Sequence, residues 1–156
     1  MTEKHRYQEM ALVLINSQST MSLATARENR TWSAPVYYVY FKSAFYFFSS
    51  PDSRHIEEAM DCEEVSASIY PSGTSWQDIK GIQMSGSIQK TGFGIAAMGA
   101  LRAYNIKFPF TKEFFEPGED LDLENFGKRF KVRLYRLEPS LIYYLDNQIK
   151  FGFRTE

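Results

Sequence analysis

The chain has 156 residues, 44% hydrophobic and 24% charged, with no Gly/Ser-rich or Pro-rich linker, so one domain with an ordinary soluble core is expected and disorder is not. With 18 Lys and Arg against 19 Asp and Glu, the net charge of -1 gives no global electrostatic argument for a nucleic-acid partner. No apolar run nears the roughly 18 residues that span a bilayer, and the opening MTEKHRYQEM is too polar for a signal peptide, so no membrane partner and a cytoplasmic location are expected.

From Tyr7 to Ile15, apolar residues at Met10, Ala11, Leu14 and Ile15 recur with helical spacing and predict a short amphipathic opening helix. TMSLATA then alternates Met21, Leu23 and Thr25 against smaller residues. The polar RENR turns it into TWSAPVYYVYF, making a hairpin. AFYFFSS follows the short KSA connection as a third strand. A helical stretch near Ser53 to Met60 leads to a fourth, EVSASIY, and IKGIQMSGSIQK reads as a fifth.

A Gly- and Ala-rich helix is expected from about Gly94 to Asn105. Pro109, Pro117 and Gly118 then break the chain into a short helix and a polar loop, and residues 92–116 read as a helical insertion. Strand character returns in RFKVRLYRLEPSLIYYLDN, where Phe130, Val132, Leu134 and Leu137 approximate an alternating face. Strands joined mostly by short connections favour a mainly β meander or barrel with helices at its edges over a doubly wound sheet.

Aromatic residues make up 16% of the chain and cluster in the predicted strands. Large rings fill a small barrel and seal subunit contacts whatever the function. Tyr37 and Tyr38 point to opposite faces of one strand, which suggests that both faces are covered and that the chain is a homodimer.

Several chemistries are poorly served. Cys62 is the only cysteine, and Asp61, Glu63 and Glu64 around it disfavour a thiolate, so it reads as a structural thiol. With His5 and His55 as the only histidines, no zinc spacing can be assembled and no metal site is expected. No Ser/His/Asp or Cys/His set marks a hydrolase, and no catalytic side chain is assigned. GFGIAA, Gly92 to Ala97, matches a dinucleotide fingerprint, but no buried parallel strand with a terminal acid follows it; helix packing explains the small residues better.

FFSSPDSRH, Phe47 to His55, supports two readings. A strand ending in hydroxyls and turning into a helix leaves free backbone N–H groups near Ser53, and Arg54 adds a donor fork suited to phosphate oxygens. Asp52 or Ser53 also suits an ordinary N-cap, and Glu57 and Glu58 in the first turn would repel an anion that they faced.

The order of the surrounding segments favours the first reading. RTWSAPVYYVYFKSAFYFFSSPDSRHIEEAMDCEEVSASIY resembles the core of the pyridoxamine 5'-phosphate oxidase-like FMN-binding split-barrel superfamily. There, a strand of the type G-x-P-x-x-x-P-V-W/Y precedes an aromatic strand ending in Thr or Ser, then Ser-Arg-Lys opening a helix. Ala34-Pro35-Val36-Tyr37, Phe47-Phe48-Ser49-Ser50 and Ser53-Arg54-His55 occupy these places without a gap. KGIQMSGSI is similar to the R-Q-V-x-x-x-G strand, and the likeness runs from about Met21 to Lys90.

The resemblance implies a homodimeric split β-barrel with FMN in clefts at the subunit interface. Ala34, Pro35, Val36 and Tyr37 would face the ring, chiefly through backbone groups at Pro35 and Val36. Phe48, Ser49, Ser50 and Ser53 would line the ribityl and phosphate side, and Arg54 would pair with the phosphate. His55 stands where Lys is usual, and a neutral imidazole offers one donor. Lys80 matches the Arg of R-Q-V; Gly81 replaces its Gln, and Gln83, on the same strand face, is the substitute expected at the ring's polar edge.

The ending NQIKFGFRTE lacks the C-terminal Trp and Arg-Leu-rich segment of true pyridoxamine phosphate oxidases, so flavin binding transfers further than substrate does. Phe153 and Arg154 read as an anchored C-terminus, with reach to a partner's flavin as the other option. The function implied is an oxidoreductase using flavin hydride transfer on an unidentified small molecule. The alternatives are a flavin carrier, a redox sensor, or a binder of deazaflavin or haem on the same fold.

Overall fold

A computed structural model describes residues 1–156. Helix α1, Glu3–Ser17, is N-capped by Thr2, whose hydroxyl accepts from the His5 amide. Three strands follow, β1 Thr20–Arg27, β2 Arg30–Phe41 and β3 Ala44–Ser49. Both hairpins turn on two residues in the left-handed region, Glu28 and Asn29, then Lys42 and Ser43. This is the turn whose twist matches that of the paired strands. Helix α2, Arg54–Asp61, leads to β4 Val65–Ile69 and β5 Lys80–Lys90. Next come α3 Ile95–Lys107, a 3-10 segment Pro109–Phe114, α4 Leu123–Phe130, β6 Arg133–Asp146 and the short β7 Arg154–Thr155.

All pairings are antiparallel, in the order β3-β2-β1-β4-β5-β6-β7, and β6 also pairs with β3. The first six strands therefore close into a barrel. Closure falls to β6: Tyr135, Arg136 and Leu137 pair with β3 on one side and β5 on the other. No parallel strand follows α3, so GFGIAA lacks the unit a dinucleotide site requires.

Alternation decides what the barrel encloses. Met21, Leu23, Val36, Tyr38, Phe45, Phe47, Ile82, Met84 and Leu137 point inward into one apolar core. The Leu14 and Ile15 end of α1 packs on this core, where the Tyr38 hydroxyl donates to the Ile15 carbonyl; at the other end Ile56 and Ala59 of α2 pack into it. A second cluster lies outside: Val39 and Tyr46 of the strands meet Ala97, Ala100, Leu101 and Tyr104 of α3 and Phe126 of α4. So Tyr38 is fully buried inside while Tyr37, on the outer face, is 51% exposed. The two faces of β2 are covered unequally.

The alternation expected to begin at Phe130 starts later. Phe130 ends α4, Lys131 caps it in the left-handed conformation at φ 55°, and β6 begins at Arg133. Asp122 accepts from the Asn125 amide, so a capped helix takes the residues whose aromatic spacing resembled a strand.

The barrel bends at a bulge where Ser85 pairs with Leu141 and Gly86 with Pro139, leaving Ser140 as the extra residue. A Cβ at Gly86 would sit 2.1 Å from the Glu138 carbonyl oxygen and 2.8 Å from Pro139 Cα, both backbone atoms. Gly86→Ala should therefore destabilise the fold by about 1–3 kcal/mol or more, read as a lower urea midpoint. Gly92→Ala, with nothing within 4 Å of the added atom, should stay within about 0.5 kcal/mol of the parent.

Candidate functional site

The segment FFSSPDSRH lies at the barrel end that α2 covers. Ser49 is the last inward residue of β3 and is buried. The next four residues turn tightly: the Ser53 amide donates to the Ser50 carbonyl at 3.1 Å, and the Ser53 hydroxyl donates to the same oxygen at 2.7 Å. Ser53 stands at the N-cap position of α2, but its hydroxyl is spent on the turn and makes no cap bond. The backbone N–H groups of Arg54 and His55 thus have neither an intrahelical acceptor nor a capping side chain.

Three side chains complete this end. Ser49 Oγ lies 2.9 Å from His55 Nε2, with Ser53 Oγ at 3.4 Å. Burial lowers the pKa of His55, so the ring is neutral at pH 7. Arg54 donates from Nε to Glu58 Oε1 at 2.7 Å and lies 4.4 Å over the Trp32 ring. Its terminal nitrogens make no hydrogen bond within the chain and the side chain is 45% exposed, which leaves the outer side of the fork available.

Glu58 is the residue that sequence reasoning missed in its role. It is buried, and its second oxygen accepts from the buried Thr25 hydroxyl at 2.7 Å. The Thr25 bond first, and then Arg54, hold its carboxyl below the usual range. Rather than repelling a ligand from the first turn, Glu58 turns inward and fixes the direction of Arg54. The Arg54–Glu58 spacing of four was a usable sign of this pair; Thr25 and Trp32 come from another hairpin, and only the fold brings them in.

The other expected residues disperse. Ala34 and Val36 face the core, and Pro35 and Tyr37 lie exposed on the outer face of β2. Pro35 registers with Ser22, Ser22 with Ser68, and Ser68 with Gln83, so Gln83 shares that face about 14 Å away across three strand spacings. Tyr37 meets Phe108 edge-on at 5.6 Å, against the helical lobe. Phe48 stacks on Phe126 at 4.2 Å and meets Tyr104 at 5.0 Å, so the lobe covers its ring. Ser50 and Pro51 border a cleft on the β6 side of β3. Lys80 starts β5, about 30 Å along the strand from Lys90 near α2, and is not gathered with Arg54. Phe153 rests on Tyr7 of α1, and Arg154 pairs through β7 with Leu145.

Neither a protein-family model nor a curated protein sequence matches the chain. Solved structures do. An FAD-binding protein from Mesorhizobium loti superposes with a TM-score of 0.63 at 18% identity, covering 86% of this chain and 90% of that one. A candidate pyridoxamine 5'-phosphate oxidase from Listeria innocua gives 0.64 at 13% identity, covering 90% and 98%. A haem storage protein from Vibrio cholerae gives 0.65 at 15%, covering 91% and 94%. The fold is the pyridoxamine 5'-phosphate oxidase-like split barrel. At these identities the likeness extends to the barrel and its peripheral helices, while the Arg54–Glu58–Thr25 arrangement stands on this chain's own geometry.

That arrangement carries a pH signature. Because the Glu58 carboxyl is lowered in the folded split barrel, its contribution to stability is present above the ordinary glutamate pKa and is lost as pH falls through the folded value. Urea midpoints measured from pH 6 down to pH 3 should fall less steeply for Glu58→Gln than for the parent.

Proposed function

We propose that the protein is a homodimeric flavoprotein that binds FMN and uses it in oxidoreduction of a small molecule. The observation that carries this reading is the uncapped start of α2 beside Arg54. Two free backbone N–H groups and an open guanidinium side lie within one helical turn, next to the Ser49 and His55 pair. Such a donor set fits the dianionic end of a phosphate monoester. Pro35 and Tyr37 then offer an outward surface to the ring, with Gln83 on the same face.

When bound, FMN supplies hydride acceptance and donation at its ring. The chain's part is to hold the phosphate through Arg54, keep that arginine aimed through Glu58, and shape the ring's surroundings along β2.

A flavin mononucleotide is favoured over haem because the donor set at the start of α2 suits a phosphate monoester, a group that haem lacks. The dimer is supported by the outer face of β1, β4 and β5, where Ser22, Ala24, Ser66, Ser68 and Ser85 present small side chains outside the helix-covered cluster. A second copy on this face would flank Pro35 and Gln83.

Purified protein should carry or take up FMN, visible in its absorbance spectrum, and should run as a dimer in light scattering. Arg54→Ala should weaken FMN by roughly 1.5–3 kcal/mol, about 10- to 150-fold, in a fluorescence-quenching titration; unchanged affinity would overturn the phosphate assignment. Turnover with a nicotinamide donor distinguishes an enzyme from a carrier or sensor.

His55 gives a second, independent reading of the same site. Since its ring is neutral at pH 7, His55→Lys adds a cation and should tighten FMN at pH 8, measured in the same titration.

A further inference from the structure

A cleft of about 700 Å³ opens on the other flank of β3, between the start of β6, the β5–α3 connection and α4. It borders the turn before α2 at Ser50, Pro51 and Asp52 but does not include Arg54, which stacks on Trp32 of β2; its other wall is Lys131 to Leu134 on the β6 side. Its apolar surface comes from Phe48, Phe93, Leu123, Val132 and Leu134. Its size lies in the range of small-molecule sites.

The charges are unequally satisfied. Lys128 is tied to Glu124 at 2.7 Å. Lys90, Lys131 and Arg133 also line the cleft, and none has a carboxylate within ion-pair distance. Asp52 is the one unpaired acid among the lining residues, which leaves an excess of two positive charges over an apolar surface.

Lys131 occupies the left-handed C-cap of α4, at φ 55°, a conformation that favours glycine.

We propose that this cleft binds a small aromatic oxyanion, a carboxylate or a phosphate ester. Its charged end meets Lys90, Lys131 and Arg133, and its ring lies against Phe48 and Leu134. The proposal does not rest on the FMN reading, although Phe48 and Ser50, expected on the FMN side, also line this cleft.

Calorimetric titration with phenyl phosphate, phthalate and inorganic phosphate tests it. Saturable binding of phenyl phosphate or phthalate at least tenfold tighter than inorganic phosphate is expected, and the stronger of the two identifies the oxyanion. Lys131→Gly should weaken that binding at least fivefold while raising the thermal midpoint, because glycine suits the left-handed cap; loss of binding with a more stable fold cannot be ascribed to misfolding. Arg133→Ala should weaken it similarly. Arg54→Ala should leave it unchanged, and Lys131→Gly should leave FMN affinity unchanged, so each site can fail without the other. The proposal is overturned if neither aromatic anion saturates, if inorganic phosphate binds as tightly, if Lys131→Gly binds like the parent, or if Arg54→Ala abolishes binding.

Discussion

Everything in this structure depends on β6 reaching two strands at once. By pairing with β3 through Arg133 to Leu137 and with β5 over nearly its whole length, it turns an open meander into a closed barrel. Closure assigns each strand residue to an inside or an outside with no free choice, because a shift of one position would reverse every side chain. The bulge at Ser85 and Gly86 provides the bend, and Pro139, which has no N–H to donate, is tolerated in this long strand because it lies there. Phe47 and Ser49 therefore face in and Phe48 faces out, and the chemistry at the end of β3 follows from that parity.

A closed barrel still has two open ends, and a buried polar cluster sits at one of them. Helix α2 covers it with Ile56 and Ala59, but its same inward side carries Glu58, a carboxylate that burial would penalise. Thr25 and Arg54 satisfy its two oxygens, so the charge stays and its direction becomes fixed. The arginine in turn loses freedom on Nε alone. A buried acid that consumes one donor and leaves the rest of the fork open is a positioning device: the rotamer entropy of Arg54 is lost on folding rather than on binding an anion.

Much of this was legible beforehand. The strands were readable because inward residues alternate and turn residues punctuate them, and the order of FFSS and SRH marked the turn where Ser49, His55 and Arg54 come together. What stayed hidden has a physical pattern. Alternation says that Phe48 points outward but not whether solvent or a helix waits there, and Phe126, 78 residues later, decides it. Phe130 and Val132 mimic a strand because aromatic spacing around a helix end satisfies both periods over a few residues. Lys80 and Gln83 sit three apart on one strand, yet only register shows that Gln83 shares a face with Pro35. Glu58 read as a repulsive first-turn acid because helix position alone does not reveal which side faces the core.

The net charge was the least informative number of all, and the reason lies in pairing. A chain at -1 offers no net field to an anion. Arg27 is bound to Asp61, Lys128 to Glu124 and Arg129 to Glu119, so these cations are already neutralised locally. Lys90, Lys131 and Arg133 are not, and the β5 and β6 ends place all three around one apolar cleft. Screening over about 8–10 Å in physiological salt means that a ligand responds to these neighbours and not to the sum over the molecule. The fold concentrates unpaired cations locally in a nearly neutral sequence by deciding which charges find partners and which are left facing a cavity.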